Sequence, residues 1–173
     1  MVDRLNRQKS NVVVVTATMN RPKEVAMAYE VLEKQKMSSW QWLIVDNSKE
    51  DDETQGLISD FRNSRVHYVK FLENGGCASP VRNIGLDIVH LTKRHSTNWY
   101  RPFVLVVDSD DRLFDEYSLH ELLKIAGAEV YKKEDIALVH GYSATEIHED
   151  GAPVVYVPNP RDFDSTFYFA LWW

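Results

Sequence analysis

The chain has 173 residues, of which 44% are hydrophobic and 27% charged, so it suits one globular domain rather than a disordered or fibrous protein. Its formal net charge of -6 argues against the broad basic surface that sequence-independent binding to nucleic acid needs, and its single cysteine excludes an internal disulfide. The first nine residues are too polar for a signal peptide, and no apolar run approaches the roughly 20 residues that cross a bilayer, so we expect a cytoplasmic protein.

Continuous runs of apolar and β-branched residues predict strands that are covered on both faces. These runs are residues 11–16, 42–45, 66–71, 103–107 and 136–139. Between them, apolar residues recur at helical spacing in residues 22–32, 57–61, 79–91 and 119–126. Pro22 and Pro80 stand where the first turn of a helix accepts proline. The polar residues 92–101 predict a loop between a helix and the fourth strand.

The alternation of strands and helices predicts an α/β fold, with a mostly parallel, Rossmann-like sheet flanked by helices. Near the end of the chain, residues 142–147 and 154–157 flank Asp150 and Gly151, a pair that favours a hairpin turn. We therefore expect a late antiparallel hairpin in addition to the parallel strands. Because no linker divides the chain, residues 1–173 are expected to form a single domain.

Polar clusters follow four of the predicted strands. They are residues 17–20, 46–48, 74–76 and 108–111. In an open parallel sheet the carboxyl ends of the strands share one edge, and ligands bind outside that edge. One such cluster would mean little, but four on one edge predict a binding site.

Asp108, Asp110 and Asp111 place three carboxylates within four residues after an apolar strand. Two unit charges about 4 Å apart repel by roughly 4 kcal/mol at an effective dielectric constant of 20. A divalent cation would turn this repulsion into attraction, and oxygen ligands favour Mg²⁺, Mn²⁺ or Ca²⁺ over zinc. Because such ions draw further oxygens from substrate phosphates, we expect a phosphorylated ligand. The alternative is a solvated acidic turn.

Asp46 and Arg82 are further candidates for ligand binding at this edge. An ionised Asp46 can accept hydrogen bonds from a base or a ribose, or it can form a turn with Asn47 and Ser48. Arg82 can bind a diphosphate through two donors beside the start of a helix, or it can lie on the solvent face of that helix. The residues alone leave both pairs of alternatives open.

Four segments, in their order and spacing, resemble family 2 glycosyltransferases of the GT-A fold. They are residues 12–22 (VVVVTATMNRP), 43–48 (LIVDNS), 78–86 (ASPVRNIGL) and 106–111 (VVDSDD). Each motif is loose alone, but the likeness covers residues 11 to about 157. The resemblance implies an enzyme that transfers a sugar from a nucleoside-diphosphate sugar, usually a UDP-sugar, with inversion at the anomeric carbon.

The same resemblance implies roles for the polar residues at the strand ends. The residues expected to contact the nucleotide sugar are Thr16, Thr18, Asn20, Asp46, Arg82, Asp108, Ser109 and Asp110. The first three would line the nucleoside pocket, Asp46 would hydrogen-bond the base, and Arg82 would lie near the diphosphate. Asp108-Ser109-Asp110 matches the family's DxD element. Asp110 and Asp111 would lie nearest a Mn²⁺ or Mg²⁺ ion, which offsets charge as the nucleoside diphosphate leaves.

The general base that would activate the acceptor hydroxyl is where the sequence departs from the family pattern. In the family this Asp or Glu commonly lies later than the last residue here, and the candidates Asp162 and Asp164 come early for the role. Two alternatives follow: an active enzyme, or a truncated donor-binding module without turnover. A nucleotidyltransferase would be expected to carry a glycine-rich loop after its first strand. Residues 16–22 contain no glycine, so this class of enzyme is disfavoured. The sequence does not specify the acceptor, which is expected to be a carbohydrate, a lipid or a protein. The apolar end at Trp172 and Trp173 offers a surface for a homodimer.

Overall fold

The computed structural model describes residues 10–49, 53–72, 77–94, 103–131, 145–149 and 152–156. The chain divides into two compact units, Met1–Leu123 and Lys124–Trp173. Within the described residues, no helix combines the length and the apolar composition that crossing a membrane requires.

The first unit contains a parallel sheet of four strands with helices on both faces. In chain order its elements are β1 (Val12–Thr18), α1 (Pro22–Glu33), β2 (Trp40–Asp46), α2 (Thr54–Asp60), β3 (Val66–Lys70), α3 (Ala78–Arg94) and β4 (Phe103–Val106). A further helix, α4 (Ser118–Tyr131), begins in this unit and ends in the second. The three strand pairs of the sheet are all parallel, which confirms the α/β fold predicted from the sequence.

The order of strands in this sheet is β3-β2-β1-β4. The chain therefore builds outward from β1 to β3 and then returns to place β4 on the other side of β1. This reversal makes the space between the carboxyl ends of β1 and β4 a topological switch point, which is where open α/β sheets bind ligands. The polar clusters after β1, β2 and β4 share this edge, whereas residues 74–76 lie outside the described residues.

Several element boundaries differ by a few residues from those that the sequence predicted, and three of them bear on the site or on its supporting helix. β1 continues through Thr18 and β2 through Asp46, because the two main chains stay paired until these residues face each other. Helix α3 continues through residues 92–94, so the predicted loop was wrong there. Thr92 is buried there, and its hydroxyl donates to the carbonyl of Ile88, 2.5 Å away, so this polar side chain is satisfied inside the helix and does not have to end it.

The side chains of β1 and β2 are buried on both faces of the sheet, which explains their continuous apolar runs. One face packs against α1 and α2 and carries Trp40, Trp42 and Ile44. The other face packs against α3 and carries Val13, Val15 and Leu43. The two layers of helices hold the central strands in place, so the polar residues at their carboxyl ends are positioned by a well-packed core.

The second unit contains two short strands, and the turn predicted between them at residues 150–151 lies outside the described residues. Strands β5 (Thr145–Glu149) and β6 (Ala152–Tyr156) pair antiparallel and form a sheet of two strands. The strand predicted at residues 136–139 lies outside the described residues.

Candidate functional site

Asp46, at the end of β2, has no exposed surface and is fully hydrogen-bonded. Its Oδ1 accepts from the main-chain nitrogen of Ser48 at 2.8 Å and from the Ser48 hydroxyl at 2.5 Å. Its Oδ2 accepts from the Tyr68 hydroxyl at 2.7 Å and from Lys70 Nζ at 3.0 Å. Because a carboxylate offers about four acceptor positions, a base that bonded to Asp46 would have to displace or share one of these donors.

The turns after β1 and β2 are tied together through Ser48. The Ser48 hydroxyl, which donates to Asp46, also accepts from the main-chain nitrogen of Asn20 at 2.6 Å. Asn20 has φ 54°, in the left-handed region that asparagine adopts more readily than most residues. The bond from Ser48 N to Asp46 Oδ1 closes the turn that the sequence analysis gave as the alternative role of Asp46. The structure therefore gives Asp46 a positioning role, and its contact with a base stays a prediction.

Thr16 and Thr18 are both buried, but their hydroxyl groups differ in their surroundings. Thr16 Oγ1 accepts from Trp42 Nε1 at 2.9 Å, so it belongs to the packed interior as well as to the predicted pocket. Thr18 Oγ1 has no hydrogen-bond partner among the described residues. Thr18 lies beside Asp46 in the strand register. A buried hydroxyl without a partner is unusual, and a ligand at this edge would satisfy it.

Two arginines pair with two of the three carboxylates in the acidic loop after β4. Arg82, in the second turn of α3, donates from Nε to Asp108 Oδ1 at 2.8 Å and from Nη2 to Asp108 Oδ2. Arg21, directly before α1, forms an ion pair with Asp110. The hydrogen bond to Arg21 lowers the pKa of Asp110, and the bond to Asp108 raises the pKa of Arg82. The loop is therefore held by cations from the starts of two different helices.

The ion pairs of these two arginines are with Asp110 and Asp108 rather than with Asp111, whose pKa is raised by burial and then by the charges of Asp108 and Asp110. Within the described part of the chain, no group of three or more His, Cys, Asp or Glu side chains is placed to hold a metal ion. The predicted convergence of three carboxylates is therefore not found, because arginines bind two of them. Asp110 and Asp111 still fit a divalent ion of the kind that takes one or two carboxylates and draws its other ligands from phosphates. Ser109, between them and Asp108, is buried.

The opposite pKa shifts of Asp110 and Asp111 predict opposite effects of neutralising them. The pKa of Asp110 is lowered in the folded protein. Its charge therefore stabilises the fold at pH values above the usual aspartate pKa of 3.8, and this stabilisation is lost as the pH falls through the lowered pKa. Asp111 has a raised pKa, so its charge destabilises the fold above that raised value, and this is relieved in acid. At pH 7, Asp110→Asn should lower the free energy of unfolding and Asp111→Asn should raise it, each by less than about 1 kcal/mol because both groups are exposed.

Urea unfolding of both variants without added metal, at pH 7 and again near pH 3, measures these differences. Both differences in the free energy of unfolding, each between a variant and the wild type, should shrink toward zero in acid. Changes of the same sign at pH 7 would contradict the distinct environments of the two carboxylates.

A family model described as Glycosyl transferase family 2 matches residues 13–132, which is more than half of the chain. The chain belongs to glycosyl transferase family 2. The matched residues of this family 2 chain include β1 from its second residue onward, β2 to β4 and every residue of the site described above. No curated protein matches it.

Among solved structures, this family 2 chain is similar to S. aureus TarS. The crystal structure of TarS 1-349 matches with 24% identity and a TM-score of 0.52, covering 70% of this chain and 32% of that one. The same portion of TarS in complex with UDP-GlcNAc matches with 23% identity and a TM-score of 0.52, covering 70% of this chain and 31% of that one. The family 2 chain thus has the GT-A fold that its motifs implied, and it spans about a third of the length of these structures.

The structure adds four residues to those that sequence reasoning assigned to the site. They are Arg21, Ser48, Tyr68 and Lys70. Tyr68 and Lys70 could be found only through the strand register, which sets Lys70 opposite Asp46. Arg21 carried a local signal, because a cation at the start of a helix opposes the helix dipole. The candidate bases Asp162 and Asp164 lie outside the described residues.

Proposed function

We propose that this chain carries the donor site of a glycosyltransferase that moves a sugar from a UDP-sugar to an acceptor. The observation that carries this proposal is the set of side chains at the switch point between β1 and β4. There, two arginines meet an acidic loop at the strand edge that also carries Thr18, whose buried hydroxyl has no partner in the described part of the chain. Cations for a diphosphate, carboxylates for a divalent ion and a free hydroxyl for a nucleoside are the groups that a nucleotide sugar needs. TarS, which shares the fold, has been solved in complex with UDP-GlcNAc and with UDP.

The nucleoside would bind over the ends of β1 and β2. Thr18 Oγ1 supplies the unused hydrogen-bonding group, and Asn20 forms the turn that closes this side of the site. Asp46 contributes by fixing the ends of β1, β2 and β3 relative to one another. Asp46 would contact the base itself only if Tyr68 or Lys70 gave up its hydrogen bond to Asp46 Oδ2. Thr16 supports the floor of the pocket through Trp42.

The diphosphate would bind on the β4 side of the site. Arg82 already points its two donors at a carboxylate, and the same planar pair suits a phosphate group. Asp108 holds that side chain in position, and buried Ser109 keeps the loop against the sheet. Asp110 and Asp111 would hold a Mn²⁺ or Mg²⁺ ion. Such an ion, when bound, offsets the charge that develops on the departing nucleoside diphosphate.

The transfer is proposed to invert the anomeric carbon, with a carboxylate as the general base that removes the proton of the acceptor hydroxyl. Asp162 and Asp164 remain the candidates for this base. The acceptor class, whether carbohydrate, lipid or protein, follows from residues beyond the donor site. A donor-binding module without turnover would use the same site, so binding and transfer need separate assays.

A thermal-shift panel tests donor binding. UDP and UDP-GlcNAc, each with and without Mn²⁺, should raise the melting temperature, because a ligand at 100 times its Kd stabilises the native state by about 2.7 kcal/mol. Arg82→Gln should abolish most of this shift, whereas Arg62→Gln, an exposed arginine away from the site, should preserve it. Release of UDP from UDP-GlcNAc, followed with and without acceptors, then separates an enzyme from a binding module. The absence of a shift with every uridine nucleotide would contradict the proposal.

A further inference from the structure

Arg21 is an unusual residue for its place in the fold. It directly precedes α1, and its carbonyl accepts the first hydrogen bond of that helix from Val25 N at 3.1 Å. This position favours Ser, Thr, Asp or Asn, and no side-chain cap forms there. The positive end of the helix dipole also disfavours a cation. Residues that break local rules in this way are expected at functional sites.

The partner of Arg21 lies across the switch point. Arg21 is reached from the end of β1, Asp110 from the end of β4, and their ion pair crosses the space between the two strands. The side chains are 44% and 57% exposed, so the pair is accessible to a competing anion or cation. Its contribution to stability is small for the same reason. The pair is therefore easily exchanged.

The main chain of Arg21 is held firmly although its side chain is exposed. The preceding residue, Asn20, is anchored by its hydrogen bond to Ser48, which in turn is bonded to Asp46. This chain of bonds fixes the start of α1 relative to the ends of β1 and β2. Thr18 lies at the same strand end, and none of the residues that the structure describes bonds its buried hydroxyl, which is an independent sign that a ligand completes this corner.

We infer that Arg21 is a second diphosphate-binding residue, held by Asp110 in the donor-free protein and passed to the diphosphate of the donor when it binds. The inference rests on the proposed function. One ion pair breaks and another forms, and no covalent bond changes. Asp110 is released by the exchange and joins Asp111 as a ligand for a divalent ion that also contacts the diphosphate. Because each ligand frees the groups that the other needs, UDP and the metal bind cooperatively, and the coupling is reciprocal.

The balance of charge in the donor-free site favours an exchange in which a divalent cation enters together with the diphosphate. Arg21 and Arg82 set two positive charges against the three carboxylates of Asp108, Asp110 and Asp111. When a diphosphate replaces the carboxylates as the partner of the arginines, those carboxylates are left facing its negative charge. A divalent cation entering at the same time removes that repulsion. Metal without nucleotide, by contrast, must compete with Arg21 for Asp110.

Isothermal titration of UDP, uridine and Mn²⁺ into three proteins tests the inference. The proteins are the wild type, Arg21→Gln and the matched control Lys36→Gln. Lys36 forms an exposed ion pair with Glu116 beyond the other end of α1, so its replacement removes the same charge from a pair of similar exposure. Arg21→Gln should bind UDP about tenfold to a hundredfold more weakly, since charge-assisted bonds to phosphate are among the strongest. Its affinity for uridine should be unchanged, and Mn²⁺ should enhance UDP binding less than in the wild type.

The outcomes separate this inference from the proposed function. Wild-type protein that binds UDP, with equal UDP affinity in Arg21→Gln, would overturn the inference alone. Equal losses of UDP and uridine affinity in Arg21→Gln would also overturn it, because they indicate a structural role for the residue. Wild-type protein that binds neither UDP nor uridine would overturn both. A selective loss for UDP in Arg21→Gln, absent in Lys36→Gln, supports it.

Discussion

Replacement of Asp46 by alanine is expected to lower the free energy of unfolding by about 3–5 kcal/mol, the range for breaking a buried ion pair from one side. The carboxylate has no exposed surface and gathers donors from Ser48, Tyr68 and Lys70. Its removal leaves the ammonium of Lys70, whose side chain is only 20% exposed, without its carboxylate partner. Urea unfolding at pH 7 measures the loss.

Glu116→Ala is the control for this prediction. It removes a carboxylate from an exposed ion pair with Lys36, for which a change of at most about 1 kcal/mol is expected. If Asp46→Ala cost no more than Glu116→Ala, the account of Asp46 as the group that joins three strand ends would be wrong. Asp46→Asn, which keeps the shape and one acceptor oxygen, should fall between the two.

Gly85→Ala is expected to lower the free energy of unfolding by about 1–3 kcal/mol, as overpacking of a core does. Gly85 lies in α3 where the helix crosses the sheet. A Cβ atom there would overlap with Val15 Cγ1 and stand 3.2 Å from Val45 Cγ2, and both valines are completely buried. The helix would have to move away from β1 and β2, which would also displace Arg82. Thermal and urea unfolding, with the UDP affinity of the folded variant, measure both effects.

Gly56→Ala provides the matched comparison. Gly56 lies in α2, and a Cβ atom added there would meet nothing within 4 Å, so alanine enters open space. Here the change should raise the free energy of unfolding by up to about 1 kcal/mol, because alanine is the better helix former. Equal effects at the two glycines would show that α3 does not depend on close contact with the sheet.

The sequence predicted the parts of the fold that depend on local pattern. The continuous apolar runs at residues 12–15 and 42–45 indicated strands covered on both faces, and both strands are buried throughout. Helices beginning near Pro22 and Pro80 followed from proline placement and apolar spacing. Alternation of these elements was enough to predict a parallel sheet, and hence a shared edge for the polar residues that follow its strands.

The pairing of charges at that edge could not be predicted in the same way. It depends on which strand stands next to which and on how far each helix start projects over the sheet. Three aspartates in four residues indicated a cation, but the sequence does not show that Arg82 and Arg21 reach the first two of them. Likewise, Asp46 could be recognised as a carboxylate that ends an apolar run, whereas its burial and its bonds to Tyr68 and Lys70 follow from the pairing of β2 with β3. Which charged side chains pair at this edge is therefore determined by how strands distant in sequence align with one another.

The most direct measurement of the central claim is a titration of the ¹⁵N-labelled protein with UDP, followed by amide NMR shifts. Binding at the carboxyl edge predicts the largest shifts in residues 18–21, 46–48, 82 and 108–111, growing further when Mn²⁺ is added. Residues 38–41 and 64–65, at the opposite ends of β2 and β3, should stay nearly unchanged. Shifts confined to that opposite edge, or none at millimolar UDP, would contradict the assignment of a donor site to this edge.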